Sequence, residues 1–282
     1  MTESDAPILV ASDLSPRSDR AMRRAFRLGA QLDRKVIAYS VLDDAMPLDI
    51  VEETHARAKA RLTRFADSLA EGRPCEVHTT IGDPTGDILK MVADTGASLL
   101  VMGAHRPRAF LGGLRETTMQ RIVRNTQCTV LLAQDTCDHD YDTVLLACDF
   151  SPACSAALSL CQTFAPNGKI APVHALHLPY SGFLGRNEKS KSELEAPFRS
   201  EAEAANENWR TAQNLDGHTQ VGATEILIGS PYPTLRHEAE HRPADLIALG
   251  AHGRVGTTRA FLGSLASDLT RNPPCDLLIA RP

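Results

Sequence analysis

The chain has 282 residues, 43% of them hydrophobic and 23% charged, which is typical of a globular protein with one large domain or two of ordinary size. A formal net charge of −5 argues against nucleic acid and anionic membranes as partners, because it would repel nucleic acid and gain nothing at an anionic membrane. The first residues lack a signal-peptide pattern and no apolar run is long enough to cross a bilayer, so we expect a cytoplasmic protein. The seven cysteines form no Cys-x-x-Cys pair, and we interpret most of them as small core residues.

Short apolar runs alternate along the chain with longer amphipathic segments, the pattern of a parallel sheet covered by helices. Ser15-Pro16 and Asp83-Pro84 each place an N-cap side chain before a proline at a first helical position. In the first half the sequence predicts a long helix at 54–69 and strands at 8–13, 36–42, 76–81, 98–103 and 129–133.

The second half repeats the first. Ile8–Pro16 returns as Val144–Pro152, and Gly103-Ala-His105 returns as Gly250-Ala-His252. Strands are predicted at 144–149, 170–177, 222–228, 245–250 and 276–280, a long helix at 193–212, and helix starts at Ser151-Pro152 and Ser230-Pro231. The repeat predicts two domains, 1–138 and 139–282, that meet in a polar stretch. Each is expected to be α/β, with an open, mostly parallel five-stranded sheet and helices on both faces.

A glycine-rich loop follows the strand at 245–250. The chain runs Gly250-Ala-His-Gly253, then nine residues, then Gly263-Ser264 and a helical run. Glycines allow the backbone to approach a ligand closely, and a helix start offers N–H donors and the positive end of the helix dipole. The loop therefore predicts a phosphate site.

The spacing Gly-x2-Gly-x9-Gly-Ser, together with the opening Asp149-Phe-Ser151-Pro, resembles the universal stress protein family, whose fold is Rossmann-like. In its nucleotide-binding members this loop holds ATP. The resemblance implies that ATP, or another adenine nucleotide with or without Mg²⁺, binds here. By position, Ala147, Asp149 and Ala175 would face the base, Leu249 and Gly250 would flank the nucleoside, and Gly253, Gly263, Ser264 and Leu265 would wrap the phosphates.

The first half departs from this pattern. Gly253 is replaced by Arg106, Gly263 by Glu116 and Ser264 by Thr117. Glu116 would set a carboxylate where a phosphate should lie, so we predict a degenerate first site. A different anion, attracted by Arg106, Arg108 and Arg115, is left open.

Other patterns favour no catalytic residue and no metal site. His237-Glu-Ala-Glu-His241 matches the zinc-protease spacing, but the position of Leu235 on the same helix turns both histidines toward water. Adventitious metal binding at that surface stays open. We interpret His174 as structural and His252 as shaping the loop.

The sequence thus predicts a stress-response regulatory protein that binds an adenine nucleotide in its second domain and acts on an unidentified partner protein. A slow ATP hydrolase and a ligand-free interaction module are the alternatives. The resemblance also implies that the last strands of the two halves, at 128–133 and 275–280, pair as an internal pseudo-dimer, with homodimerisation left open.

Overall fold

A computed structural model describes residues 6–43, 48–104, 117–134, 136, 139–178, 188–252 and 262–281. The chain is an α/β protein, and the described part contains ten strands in two sequence halves of five, with eight helices on the sheet faces. No helix among the described residues is long and apolar enough to cross a membrane.

The elements of the first half alternate strand and helix without interruption. They are β1 (Ile8–Ala11), α1 (Pro16–Leu32), β2 (Val36–Asp43), α2 (Leu48–Ala70), β3 (Cys75–Gly82), α3 (Pro84–Thr95), β4 (Leu99–Gly103), α4 (Thr118–Asn125) and β5 (Thr129–Ala133). Within this half α1 packs on β1 and β4, and α2 packs on β2 and β3.

The second half repeats this order. Its elements are β6 (Thr143–Ala147), α5 (Pro152–Phe164), β7 (Lys169–Leu176), α6 (Glu188–Ala212), β8 (Glu225–Ile228), α7 (Pro231–His241), β9 (Leu246–Gly250), α8 (Ser264–Arg271) and β10 (Asp276–Ala280). All ten predicted strands are present, with ends shifted by a few residues.

Three of the four predicted N-caps form. The side chains of Ser15, Asp83 and Ser151 each accept a hydrogen bond from the backbone N–H three residues later. Ser230 occupies the N-cap position of α7 but makes no such bond. The physical reason is that the third helical residue there is Pro233, which has no N–H to donate.

The first of two compact units contains β1–β5 with α1–α4 and also β10. Its strand order is β3-β2-β1-β4-β5-β10, parallel except that β10 runs antiparallel to β5, with Leu277 opposite Leu132. The expected pairing of these two strands is confirmed.

A buried ion pair fixes β10 in this unit. The Nε of Arg24 on α1 lies 3.0 Å from Oδ2 of Asp276, and the two side chains are 2% and 0% exposed. Oδ1 of Asp276 accepts a hydrogen bond from the backbone N–H of Gln134 at 2.7 Å. Removal of either charged partner would leave the other buried and uncompensated, at a cost of about 3–5 kcal/mol.

The second unit contains β6–β9, α5–α7 and residues 263–266. Its strands are all parallel in the order β9-β6-β7-β8, with Ala147 opposite Val173. The chain leaves β6 toward β7 on one side and returns to β9 on the other. This reversal of strand order is where ligands of open parallel sheets bind, beyond the carboxyl ends of the strands.

Candidate functional site

A cavity of about 220 Å³ opens in the second unit at the carboxyl ends of β6, β7 and β9. The start of α8 and one side of α7 complete its wall. The lining residues are Ala147, Cys148, Asp149, Val173, His174, Ala175, Pro231, Leu235, Leu249, Gly250, Gly263, Ser264, Leu265 and Ala266.

The turn between β6 and α5 places Asp149 at the edge of this cavity. Oδ1 of Asp149 accepts a hydrogen bond from the backbone N–H of Ser151 at 3.0 Å. Phe150, between them, has a φ of 62°, and Leu14 in the equivalent turn of the first half has a φ of 61°. Both halves therefore hold a side-chain-bearing residue in the left-handed region, a conformation that costs free energy and defines the turn.

Cys148 lies beside Asp149 in the lining of the cavity. Sγ of Cys148 lies 3.4 Å from Sγ of Cys154 on α5, and both residues are buried. Burial raises the pKa of the Cys148 thiol far above its ordinary value, and the neighbouring Cys154 thiol raises it further. Because the thiolate is the reactive form, Cys148 presents a weakly polar surface rather than a nucleophile.

His174 lies in the cavity wall, which the sequence did not reveal. Its Nδ1 lies 2.7 Å from the carbonyl oxygen of Cys148; because that oxygen accepts, Nδ1 carries the proton. The imidazole stacks on the ring of Phe150 at 4.7 Å between centroids. Phe150 in turn lies 6.0 Å from the ring of Trp209, whose Nε1 donates to Oγ of Ser155. His174 is therefore held in place by its neighbours, in agreement with a structural role, while also lining the cavity.

The N-terminus of α8 forms the opposite end of the cavity. The N–H groups in the first turn of a helix have no partner within the helix. In α8 these belong to Ser264, Leu265 and Ala266, all of which line the cavity. The expected donor Gly263 is already used, because its N–H donates to the carbonyl oxygen of Ala251 at 2.9 Å. Of the donors expected at this helix start, the N–H of Gly263 is thus used within the loop, whereas Ser264 and Leu265 lie in the first turn of α8 at the cavity.

Gly250 is required by packing. A Cβ at this position would lie 2.5 Å from Cβ of Ala153 and 2.8 Å from its carbonyl carbon. Gly103 is under the same constraint in the first half, where a Cβ would lie 2.8 Å from the carbonyl carbon and oxygen of Arg17. Glycine at this position therefore allows the end of the strand to meet the first turn of a helix, whether or not a ligand binds.

The equivalent helix start in the first half is closed by its own side chains. The hydroxyl of Thr117 accepts from the backbone N–H of Gln120 at 3.2 Å, and Oε1 of Gln120 accepts from the backbone N–H of Thr117 at 3.0 Å. This capping box satisfies two of the N–H groups that a phosphate would need. In the second half the residue that matches Thr117 is Ser264, the first residue of α8, and the position before the helix is Gly263, which has no side chain to cap it.

Eight of the nine residues assigned to the nucleotide by resemblance line the cavity, and Gly253 lies outside the described residues. So do Arg106, Arg108, Arg115 and Glu116 of the first-half loop. Six lining residues were not anticipated. Pro231 and Leu235 could have been found from their place at the start of a helix that follows an adjacent strand. The other four lie within two residues of assigned residues.

The two histidines of α7 face water, as predicted. His237 and His241 are exposed, whereas Leu235 and Ala239 on the same helix are buried. Among the described residues no three His, Cys, Asp or Glu side chains are grouped to hold a metal ion.

Comparison with known proteins identifies the fold. The model of the Universal stress protein family matches residues 6–134 and 140–281. A universal stress protein from Archaeoglobus fulgidus superimposes with a TM-score of 0.68 at 18% identity, covering 100% of this chain and 99% of that one. A functionally unknown protein from Pseudomonas aeruginosa superimposes with a TM-score of 0.64 at 14% identity, covering 99% and 94%.

Curated relatives match over shorter segments. A universal stress protein of Methanocaldococcus jannaschii is 38% identical over 58 residues, which are 21% of this chain and 34% of that protein. Universal stress protein E of Escherichia coli is 37% identical over 59 residues, which are 21% and 19% of the two chains. The match thus spans about a third and a fifth of the length of these relatives.

Proposed function

The chain belongs to the universal stress protein family and carries two copies of its domain, and from this premise we propose that it is a regulatory protein that binds ATP or a related adenine nucleotide in its second half. The cavity is the main support for this proposal. In it an apolar slot, formed by Ala147, Val173 and Leu249 at the ends of three parallel strands, adjoins the N-terminus of α8.

The slot has the chemistry of a base-binding site. Ala147, Val173 and Leu249 provide apolar contacts for a flat heteroaromatic ring, and the ends of parallel strands offer backbone donors and acceptors beside them. Its volume of about 220 Å³ is below the roughly 300–1,000 Å³ of pockets for drug-sized ligands. It therefore suits the nucleoside part of the ligand alone.

The helix end has the chemistry of a phosphate site. The first-turn N–H groups of α8 and the positive end of its dipole favour an anion by roughly 0.3–1 kcal/mol at an exposed site. The Ser264 hydroxyl is exposed beside them and adds a further donor. A nucleotide that spans slot and helix end would use both features at once.

We propose that the protein binds the nucleotide, with hydrolysis at most slow. General-base catalysis requires a group within hydrogen-bonding reach of the nucleophile. Oδ1 of Asp149 accepts from the backbone of its own turn, and Nδ1 of His174 donates to a backbone carbonyl. The other basic atoms of these two side chains in the cavity wall are Oδ2 and Nε2, so slow ATP hydrolysis is the alternative to binding alone. Both contacts define the shape of the cavity. We propose a regulatory role, in which nucleotide binding in the cavity changes the surface that a partner protein contacts.

Substitution at Gly263 tests the proposal. Gly263→Glu copies the residue that the first half has at this position and would place a carboxylate at the phosphate end of the cavity. We expect it to abolish ATP binding in isothermal titration calorimetry, with and without Mg²⁺, because like charges repel in a partly desolvated site.

The matched control is Gly263→Ala. Its Cβ would lie 3.3 Å from the carbonyl oxygen of Ala251, a tight contact that a small shift relieves. We expect at most about a tenfold loss of affinity, which corresponds to 1.4 kcal/mol. Circular dichroism and urea unfolding verify the fold of both variants. Unchanged ATP affinity in a folded Gly263→Glu protein would contradict the proposal.

A further inference from the structure

A pair of exposed histidines lies on the side of α7 that faces away from the cavity. His237 and His241 are one helical turn apart, and their ring centroids are 3.8 Å from each other with a tilt of 42°. Side chains at positions i and i+4 of a helix lie on the same face. Both rings are exposed, so a solvated ion has direct access to them.

A hydrogen bond within the helix prepares one of the rings as a ligand. Nδ1 of His241 lies 2.9 Å from the carbonyl oxygen of His237. A carbonyl accepts, so Nδ1 carries the proton and the lone pair of the neutral ring is on Nε2. Metal-binding histidines use the same arrangement, in which the second ring nitrogen donates to a backbone carbonyl or carboxylate and fixes the orientation of the ring.

The charged neighbours of the pair are already engaged with one another. Glu240 pairs with Arg236, whose Nε lies 2.9 Å from Oε1, and Glu238 pairs with Arg242 at the same distance. The arginine charges beside the imidazoles are thus balanced by carboxylates, and those carboxylates are committed to ion pairs. Two imidazoles are left as the ligands that this face presents.

We propose that His237 and His241 form a surface chelate for one divalent transition cation, with water in its other coordination positions. Two nitrogens about 2.0–2.1 Å from one ion are the ordinary geometry of imidazole ligation, and two rings in contact need little rotation to reach it. Imidazole suits Cu²⁺, Ni²⁺ and Zn²⁺, whereas Mg²⁺ and Ca²⁺ require oxygen ligands. Cu²⁺ binds most tightly in this series, and the bound ion bridges the last turn of α7.

The site can be tested on the full chain without an affinity tag, by calorimetric titration with Cu²⁺, Ni²⁺, Zn²⁺ and Mg²⁺ in a weakly coordinating buffer. We expect one Cu²⁺ per chain at this site, weaker Ni²⁺ and Zn²⁺ binding, and no Mg²⁺ binding. His237→Gln or His241→Gln should each lower Cu²⁺ affinity by about tenfold or more, because a chelate becomes a single contact. The electron paramagnetic resonance spectrum of bound Cu²⁺ should show two nitrogen ligands in the natural chain and one in either variant.

The chain offers two matched controls. His218→Gln removes a lone exposed histidine and should leave Cu²⁺ binding unchanged. Helix α3 carries Lys90 and Asp94 at the positions equivalent to the two histidines, exposed and paired with each other. The double substitution Lys90→His with Asp94→His should create a second Cu²⁺ site. The proposal is overturned if the natural chain binds no Cu²⁺, or if both single His→Gln variants bind it with unchanged affinity. It is also overturned if the chain with Lys90→His and Asp94→His gains no second Cu²⁺ site.

Discussion

Helices α4 and α8 occupy the same place in the two halves, after the fourth strand and before the fifth, and they begin differently. α4 starts with a capping box in which Thr117 and Gln120 satisfy each other's backbone N–H groups. α8 starts after Gly263, and its first turn borders a cavity. A duplicated fold can thus keep its strands and helices while changing which backbone donors are left for a ligand.

The comparison also separates packing from ligand binding. Gly103 and Gly250 are kept in both halves because a Cβ at either position would collide with a helix backbone or side chain. Gly263 is under weaker packing constraint and is kept only where the cavity lies. Gly103 and Gly250 are therefore explained by the fold, whereas Gly263 is explained better by the cavity that it lines.

Within this comparison of the two halves, the larger expected effect is on stability, at the glycines that the halves share. Gly103→Ala and Gly250→Ala should each lower the free energy of unfolding by about 1–3 kcal/mol, because the added methyl group overpacks the strand-to-helix contact. Gly222→Ala is the control, since its Cβ would meet only the carbonyl oxygen of Ile170 at 3.6 Å. Urea unfolding measures all three, and equal stability of Gly250→Ala and Gly222→Ala would refute the packing argument.

A smaller effect is expected where the helix starts differ. Thr117→Ala removes the N-cap side chain of α4 and should cost about 1 kcal/mol of stability without altering ATP affinity. Ser264→Ala should do the reverse, with little change in stability and weaker ATP binding, since the Ser264 hydroxyl is exposed at the cavity. Thermal unfolding measures the stability of both variants, and isothermal titration calorimetry measures their ATP affinity. A loss of ATP affinity in the Thr117→Ala variant would contradict the claim that ATP binds at α8 and not at α4.

The sequence predicts the fold well because its signals are local. The repeat, the alternation of apolar runs and helices, and the Ser-Pro and Asp-Pro junctions are all legible within short windows, and the ten strands follow from them. Ser230 is the exception among the caps, because Pro233 has no N–H to donate to its side chain.

The site was predictable only in part because its remaining features depend on contacts between distant residues. The same holds outside the site for the buried pair of Arg24 and Asp276 in the first unit, which are 252 residues apart and which no local pattern predicts. The place of His174 depends on the carbonyl of Cys148 and the ring of Phe150. The use of the Gly263 N–H by Ala251 likewise arises from how the loop closes. Residue types could be assigned from sequence, but the orientation of their hydrogen bonds could not.

The number of nucleotides bound by one full chain tests the central claim most directly. Equilibrium dialysis of the natural protein against ATP, with mass spectrometry of any nucleotide carried through purification, should give one adenine nucleotide per chain. A result of two equivalent sites would contradict the closed first half, and a result of none would contradict the open second half.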